Sequence, residues 1–479
     1  MKVKFPEGFV WGTAISAFQT EMGGSKEAES PETDWFQWTH SPEIISAGLV
    51  SGDLPENGVG FWGTYEQDMK RAADLGTNAI RLSVEWSRIF PESTESVETE
   101  VIRNRGGDVI AVQADDEDFT GLSALADWDA VDHYRRMLAH AKSLGLKVFL
   151  TLNHFTLPLW VHDPVGCHKD IESCARKGWA DEKTVIEFGK YADFAARTLS
   201  ENVDVWETIN EPDVIAEGGY FLGSTQGFPP GLDDALQAFR VERNLVFAHN
   251  VAYSNLKKHA PAKPVGIGIA PSVFFPVDDD PRSRKAAEYA TYMSSEWLLN
   301  ALVFGAFDSD LDMVTDEWAE GTAGTDFVGI DYYQRIRMRY SESSALAGVI
   351  NMEMLPCVDC TDFGWDIYPE GIRSVSKWIF EKYRLPIYIL ENGIADAKDE
   401  KRARFIRDHL KVLGDAINVD GIPIKGYFHW SLMDNFEWAD GYSMRFGLYA
   451  VDFETKARVK RKSADVFEGV CKTGELDFD

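Results

Sequence analysis

The sequence predicts an α/β protein: a single (β/α)8 TIM barrel over residues 1–479 with long loop insertions. Short runs rich in β-branched and aromatic residues recur eight times, and segments with helical spacing of apolar residues lie between them. Such alternation implies parallel strands joined by right-handed crossovers, and a closed barrel suits that number of strands. An open doubly wound sheet is the structural alternative.

The predicted strands are nearly continuous apolar runs, which is typical of parallel sheets buried on both faces. They cover residues 10–16, 78–86, 147–155, 205–212, 265–271, 327–334, 387–393 and 424–432. The predicted helices cover residues 62–75, 128–144, 181–199, 233–259, 366–383 and 402–417. Asp181 and Asp233 are expected N-caps. Residues 91–127 form a polar insertion after the second strand, and we expect it to be partly mobile.

The formal net charge of -30 restricts the possible partners. Nucleic acids and anionic membranes bind clustered Lys and Arg, so neither is an expected partner, and a neutral small-molecule ligand is favoured. No run approaches the length of a membrane span, and residues 1–7 lack the apolar core of a signal peptide. We therefore expect a cytoplasmic protein.

The five cysteines are too sparse for a disulfide framework. Cys357 and Cys360 form a C-x2-C pair, and Cys167, His168 and Cys174 lie in the loop after the third strand. If these loops meet, their side chains could bind a structural zinc ion. Free thiols or a local disulfide are favoured, so neither a metal nor a cofactor is predicted.

Two glutamates end predicted strands, Glu211 in Thr-Ile-Asn-Glu-Pro at 208–212 and Glu391 in Ile-Leu-Glu-Asn-Gly at 389–393. The carboxyl ends of barrel strands form the active-site face, so the two side chains should converge. Cleavage of a glycosidic bond requires such a pair, since one carboxyl protonates the leaving oxygen while the other attacks or stabilises the anomeric carbon. The residues alone do not show which glutamate protonates the leaving oxygen and which attacks or stabilises the anomeric carbon.

Other polar and aromatic residues also fall at or after strand ends: Arg81, Glu85, Asn153, His154, Asn210, Tyr332, Tyr333, Trp430, Asp434, Glu437 and Trp438. Together with the two glutamates they predict one pocket. Each has a structural alternative: Arg81 could pair with Glu85, and His154 could be a core histidine.

The chain resembles glycoside hydrolase family 1, the retaining β-glycosidases, over essentially its full length. The resemblance rests on the order and spacing of several motifs: FQTE at 18–21, EWSRIF at 85–90, NH at 153–154, TINEP at 208–212, ENG at 391–393 and WSLMDNFEW at 430–438. The run AGLVSGDLPENG at 47–58 is similar to the archaeal β-glycosidases.

The resemblance implies a role for each residue of the pocket. Glu211 would be the acid/base and Glu391 the nucleophile, with Arg81 and Tyr333 supporting the nucleophile. The sugar would be bound by Gln19, His154, Asn210, Trp430, Glu437 and Trp438.

The implied activity is that of a β-glucosidase that also accepts β-galactosides and β-fucosides. It would hydrolyse terminal non-reducing β-D-glycosyl residues by double displacement, without a cofactor, and a dimer or tetramer is expected.

Three positions depart from the family pattern. Phe155 stands where Trp is usual, and Ile209 where Phe is common. Asp331 stands where Asn is usual, and an ionised Asp331 would add negative charge near Glu391. We therefore expect Asp331 to be paired, protonated or turned away.

Two other functions remain as alternatives. A non-catalytic sugar-binding barrel is disfavoured because both carboxylates are present. A 6-phospho-β-glycosidase would need cations or hydroxyls after the eighth strand to hold the phosphate. This chain has Glu437 and Met444 there, and Arg445 is the only cation. A transglycosylase or an S-glycosidase is not excluded by the residues.

Overall fold

The computed structural model describes residues 2–322, 324–343 and 350–477. Eight parallel strands pair in the order of the chain, and the eighth pairs with the first, so the predicted barrel is confirmed as closed. The strands are β1 Val10–Ala14, β2 Ala79–Ser83, β3 Lys147–Asn153, β4 Val205–Ile209, β5 Val265–Ile269, β6 Phe327–Asp331, β7 Ile387–Asn392 and β8 Ile424–Trp430.

At least one helix follows each barrel strand, and one helix is labelled for each strand. These are α1 Phe61–Asp74, α2 Trp128–Ser143, α3 Lys183–Leu199, α4 Ala235–His259, α5 Trp297–Phe304, α6 Glu370–Tyr383, α7 Arg402–Asn418 and α8 Ala464–Thr473. Aspartates cap several N-termini: Asp127 accepts from the first turn of α2, and Asp234 does so for α4. None of the helices in the described ranges is long and apolar enough to cross a bilayer.

The remaining elements lie in the loops. The other α-helices are Ala17–Thr20, Asp34–His40, Pro42–Ser46, Trp86–Ile89, Asp116–Leu125, Pro164–Lys169, Pro212–Ala216, Gly223–Gln226 and Pro281–Thr291. The strands outside the barrel are Lys2–Lys4, Glu100–Arg103, Val109–Gln113, Val273–Pro276, Ala306–Phe307, Glu317–Trp318, Arg335–Tyr340, Met352–Leu355, Tyr449–Val451, Arg458–Lys460 and Glu475–Asp477.

Aromatic side chains fill the lower part of the barrel. The Phe149 ring lies 4.7 Å from the ring of Phe428 and 5.3 Å from that of Tyr388. Gly12 makes room for them, because a Cβ at this position would lie 2.2 Å from Phe428. This apolar layer closes the barrel from below, so a cavity can open only toward the carboxyl ends of the strands.

Residues 91–127 are folded, contrary to the expectation of a loosely structured insertion. Glu100–Arg103 and Val109–Gln113 form an antiparallel hairpin, and Asp116–Leu125 is a helix. Asp115 begins this helix with a capping box, accepting from the backbone of Glu117 and Asp118. The acidic run therefore begins a helix rather than a mobile loop.

Three predicted boundaries were wrong. The N-cap predicted at Asp181 lies one residue later, at Glu182, which precedes α3. The helix predicted over residues 366–383 begins at Glu370, because the Asp366 carboxylate accepts from the backbone of Val358 and Asp359 and holds this segment as a loop. The N-cap predicted at Asp233 lies one residue later, at Asp234.

Candidate active site

Arg81 lies on β2 beneath the site cavity, with 1% of its surface exposed. Its Nε donates to Glu207 Oε2 at 2.7 Å, and its Nη2 donates to Glu207 Oε1 at 2.9 Å. Its other contacts are to the side chains of Glu391 and Asn210, which accept from Nη1 and Nη2. Arg81 thus joins three strand ends, and the alternative pairing with Glu85 is not formed.

Glu207 is a site residue that the sequence reasoning missed. It lies in the middle of β4, between Trp206 and Thr208, and it also accepts from Thr151 Oγ1 at 2.5 Å. Gly268 leaves space for it, since a Cβ there would lie 2.4 Å from Glu207 Oε1. The available signal was a single charge inside a strand that is otherwise buried on both faces.

Glu391 lies near the end of β7 and is held by two donors. Arg81 Nη1 donates to Oε1, and the Tyr333 hydroxyl donates to Oε2 at 2.5 Å. Burial raises the pKa of Glu391, while the charge of Arg81 and the hydrogen bond from Tyr333 oppose this rise. The pKa of Glu391 stays above its ordinary value, but those of Glu211 and Asp331 are raised further, so Glu391 is the first of the three acids to ionise.

Glu211 follows β4 and begins the helix Pro212–Ala216. Its backbone is left-handed, with φ 45° and ψ 59°, and its N–H donates to the carbonyl of Gly268 at 3.0 Å. A left-handed glutamate is uncommon and persists where the surroundings require it. Burial and then the charge of Glu391 raise the pKa of Glu211 well above its ordinary value. Glu211 therefore keeps its proton when Glu391 is ionised.

Asp331 ends β6 and faces both glutamates. One carboxyl oxygen each of Glu211, Asp331 and Glu391 lie within 4.8 Å of one another. Asp331 is 1% exposed, and neither of its oxygens has a hydrogen-bond partner in the described part of the chain. Burial and the charge of Glu391 raise the pKa of Asp331 well above its ordinary value. Of the three expected states, the structure favours the protonated one.

An aromatic stack forms one wall of the cavity. The His154 ring lies parallel to Trp430 and to Trp438, with centroids 5.9 Å away in both cases. Burial and the charge of Arg81 lower the pKa of His154 well below its ordinary value, so the ring is neutral. Phe155 keeps the wall aromatic at the position where Trp is usual, with its ring 4.9 Å from Trp438.

Gln19 and Glu437 meet at the side of the cavity. Gln19 Nε2 donates to Glu437 Oε2 at 3.4 Å and to Asn435 Oδ1 at 3.2 Å. Burial, followed by the charge of Glu391, raises the pKa of Glu437 well above its ordinary value. The protonated form of Glu437 is therefore favoured in this site.

The site cavity has a volume of about 460 Å³. The predicted residues that line it are His154, Glu211, Tyr333, Glu391, Trp430, Glu437 and Trp438. Gln19, Arg81 and Asn210 lie behind them, each 1% exposed or less, and contact them through hydrogen bonds. None of the described residues that line the cavity is a lysine or an arginine.

Some strand-end residues do not reach the cavity. Tyr332 is buried, and its hydroxyl donates to the carbonyl of Tyr368 at 2.7 Å. Asp434 is ion-paired with Arg461 at 2.7 Å. Glu85 accepts from Thr156, and burial raises its pKa to about 8.

Several aromatic side chains of the cavity wall could not be identified from the sequence. Phe363 and Trp365 stack with centroids 4.2 Å apart, and Phe446 packs 6.1 Å from Trp365. Phe228 lies on the other side, beside Phe155. They come from loops without a motif, so their convergence depends on the fold.

The cysteines pair within their own loops. Cys167 is bonded to Cys174, and Cys357 is bonded to Cys360. The sulfur ligands of the zinc site considered from the sequence are therefore used in two disulfides. Cys471 is free.

Comparisons with known proteins agree with the geometry. The family model described as glycosyl hydrolase family 1 matches residues 1–102 and 120–476. A β-galactosidase from Saccharolobus solfataricus is 37% identical over 98% of this chain and 96% of its own length. A 6-phospho-β-galactosidase from Leptotrichia buccalis is 29% identical over 99% of this chain and 100% of its own length.

Solved structures give the same assignment. The β-glycosidase of Thermosphaera aggregans superposes with a TM-score of 0.91 at 36% identity, covering 99% of this chain and 98% of that chain. The β-glucosidase of Pyrococcus furiosus has a TM-score of 0.89 at 37% identity, covering 99% and 97%. The resemblance inferred from the motifs is confirmed. The chain belongs to glycosyl hydrolase family 1 and is a glycoside hydrolase acting on O-glycosyl bonds.

Proposed function

We propose that the chain is a retaining exo-β-glycosidase that removes terminal non-reducing β-D-glucosyl residues, and also β-galactosyl and β-fucosyl residues, by double displacement. The observation that carries this proposal is the pair Glu211 and Glu391, with carboxyl oxygens within 4.8 Å in unlike surroundings. Retaining enzymes hold their two carboxyl groups about 5–5.5 Å apart, whereas inverting enzymes need room for a water between them.

Glu391 is the proposed nucleophile. Its carboxylate accepts from Arg81 and Tyr333, so the ionised form is available to attack the anomeric carbon. Attack forms a glycosyl ester on Glu391 and breaks the bond to the leaving oxygen.

Glu211 is the proposed acid/base. Because its pKa is raised well above the ordinary value, it enters the first step protonated and transfers that proton to the leaving oxygen. Formation of the ester removes the negative charge of Glu391, so the pKa of Glu211 falls. Glu211 then takes a proton from water as the water attacks the anomeric carbon and releases Glu391.

The remaining predicted residues are proposed to bind the sugar. Trp430 and Trp438 offer apolar faces to the ring, and neutral His154 can donate to or accept from a hydroxyl. Asn210 would contact the 2-hydroxyl, a hydrogen bond that tightens in the oxocarbenium-like transition state.

Glu437 and Gln19 are proposed to bind the hydroxyls at the far side of the sugar. A protonated Glu437 can both donate and accept, so an equatorial or an axial 4-hydroxyl can be satisfied. Glucosides and galactosides should then be cleaved within roughly two orders of magnitude of each other, a gap of about 3 kcal/mol.

The 6-phospho-β-glycosidase alternative is less well supported. A phosphate needs cations or several donors, and the described residues lining the cavity include neither Lys nor Arg. Arg445, the one cation in the loop after β8, lies over Phe453 at 4.4 Å and 3.8 Å from Asp434. Rejection of the phosphate rests more on this lack of cations than on a full charge at Glu437.

We also propose that the chain forms a homo-oligomer, a dimer or a tetramer. A solved structure described as a β-glucosidase mutant derived from a hyperthermophilic tetrameric structure has a TM-score of 0.89 at 37% identity. Light scattering of the purified protein tests this directly, and a monomer at all concentrations would contradict it.

The function is tested by hydrolysis of a panel of aryl β-glucosides, β-galactosides, β-fucosides and their 6-phosphates, with the first product followed by NMR. We expect the neutral glycosides to be preferred and the β-anomer to appear first. A first product of the α-anomer would contradict the double displacement, and preference for the phosphates would contradict the substrate assignment.

A further inference from the structure

A second cavity of about 330 Å³ adjoins the site cavity. The two share part of their lining, including Glu217, Gln226, Phe274, Gln334, Ile336 and Trp365. Glu211 lines the site cavity, and Asp213 and Ala216, on the helix that Glu211 begins, line the second cavity. Because Glu211 is the proposed donor to the leaving oxygen, a leaving group can extend from the site into this space.

Four carboxyl groups line the second cavity, and one of them, Asp366, is ion-paired with Arg335. The other three do not belong to that pair. Asp213 lies on the helix that Glu211 begins, Glu217 lies in the next turn, and Glu242 lies on α4. Asp213 is 5% exposed and Glu242 is 6% exposed. Asp213 and Glu242 are thus almost fully removed from water. A buried carboxyl ionises readily only if a cation or hydrogen-bond donors compensate for the lost hydration.

The protein itself provides little compensation. Asp213 Oδ2 accepts from the N–H of Ala270 at 2.9 Å, but its Oδ1 has no hydrogen-bond partner among the described residues. Glu217 Oε1 accepts from Gln226 at 2.7 Å. Within residues 2–322, 324–343 and 350–477, no Lys, Arg or His nitrogen forms an ion pair with Asp213, Glu217 or Glu242.

The cations nearest in the lining are already engaged. Arg335 pairs with Asp366 at 2.6 Å, and Arg337 donates to the carbonyl of Pro356 at 2.7 Å. The lack of a countercharge also shifts the pKa of these acids. Burial raises the pKa of Asp213 to about 7, and burial together with the charge of Asp213 raises that of Glu242 well above its ordinary value.

Much of the remaining lining is apolar or aromatic. Phe221, Phe239, Phe274, Met293 and Trp365 face the same space as the carboxyls. A ligand that fits must therefore combine an apolar body with a positively charged group that can pair with the carboxylates. Ammonium groups over aromatic faces also gain cation–π attraction.

A bare metal ion fits less well. Metal binding requires several ligand atoms around one point, and in the described part of the chain the acids of this cavity do not form such a group within 4.8 Å. The carboxyls are instead spread along a cavity of about 330 Å³, which is large enough for an organic cation.

We propose that this second cavity is an aglycone site for β-glycosides whose leaving group carries a protonated amine on an aromatic or aliphatic body. The proposal rests on the proposed function, because it assigns a substrate class to the same active site. Asp213, Glu217 and Glu242 would receive the ammonium, and Phe274 and Trp365 would contact the apolar body.

The test compares two substrates of nearly equal shape, 4-(aminomethyl)phenyl and 4-(hydroxymethyl)phenyl β-D-glucoside. In the unmodified protein we expect kcat/KM to be about tenfold higher or more for the amine, as one partly buried ion pair would give. Glu242→Gln and Glu217→Gln should each lower the amine-to-hydroxyl ratio several-fold. The ratio cancels general losses of activity or folding, and two variants keep the test decisive if one fails to fold.

Glu288→Gln is the matched control, since Glu288 is exposed on the helix Pro281–Thr291 and does not line the cavity. It should leave the ratio unchanged. A ratio near or below one in the unmodified protein, or a ratio unmoved by both cavity variants, would overturn the proposal. Failure to cleave either glucoside would instead contradict the proposed function, so the two failures are distinguishable.

Discussion

Asp331 lies directly opposite Glu391 in the pairing of β6 with β7, and their carboxyl oxygens come within 4.8 Å. Both side chains are buried, but of the two only Glu391 accepts hydrogen bonds from Arg81 and Tyr333. The two acids therefore differ: the pKa of Asp331 is raised well above its ordinary value, whereas Arg81 and Tyr333 limit the rise for Glu391, so Asp331 is the one that keeps its proton. The charged groups that face Asp331 are Glu207, Glu211 and Glu391, which raise its pKa, and Arg81, which lowers it.

Asp331→Asn should therefore stabilise the fold. The folded pKa of Asp331 is raised above its unfolded value, so its stabilising contribution is complete below the unfolded pKa and is lost as pH rises. Above about pH 4 the gain from Asn should grow by about 1.4 kcal/mol per pH unit, until Asp331 ionises in the folded state. Urea unfolding of both proteins between about pH 4 and 8 measures this. A gain independent of pH, or a loss that grows with pH, would contradict a protonated Asp331.

Glu211→Gln should affect substrates according to their leaving groups. An aglycone that departs without a proton, such as 2,4-dinitrophenol, should retain its first step, whereas an alkyl aglycone should lose about 10²- to 10⁴-fold. Pre-steady-state release of the aglycone separates this step from the second one. Equal losses on both aglycones would argue against Glu211 as the acid.

Glu437→Ser should sharply reduce kcat/KM for the neutral glucoside, by about two orders of magnitude, because hydrogen bonds to the far hydroxyls are lost. The same change should ease rejection of the 6-phosphoglucoside, since a buried carboxyl beside the phosphate is replaced by a hydroxyl donor. The ratio of kcat/KM for the two substrates is the measurement. An unchanged ratio would show that Glu437 does not face position 6 of the sugar.

Salt should preserve or raise thermal stability. With a net charge of -30, repulsion between surface acids opposes the compact state, and added ions screen it. We expect Tm to hold or rise as NaCl increases from low levels to about 1 M. Repeating the scan with a neutral osmolyte at matched osmolality separates screening from exclusion effects. A steep fall of Tm in NaCl would contradict this interpretation.

The barrel could be predicted because its strands are buried on both faces and therefore apolar throughout. The start of α6 could not, because Asp366 is held by the backbone of Val358 and Asp359 and by Arg335, contacts that depend on other loops. The folded state of residues 91–127 was missed because its polar composition resembles that of a loop.

The residues of the active site also fall into those that the sequence predicted and those that it did not. Glu211 and Glu391 lie in motifs at strand ends, so their convergence follows from the fold class. Glu207 lies inside a strand without a motif, and its contact with Arg81 emerges only when the barrel closes. Asp331 keeps its proton because it is buried beside Glu391 and its own oxygens lack hydrogen-bond partners in the described part of the chain. These contacts form only in the folded protein and cannot be read from the sequence.

The most direct test of the central claim, that Glu391 is the nucleophile of a double displacement, is Glu391→Gly assayed with and without azide. Without azide we expect no measurable hydrolysis. With azide, or formate, we expect turnover to return and the product to be the α-configured adduct, because a small anion in the space of the lost carboxylate attacks from the same face. Full activity of the variant, or rescue that yields the β-configured product, would contradict the assignment.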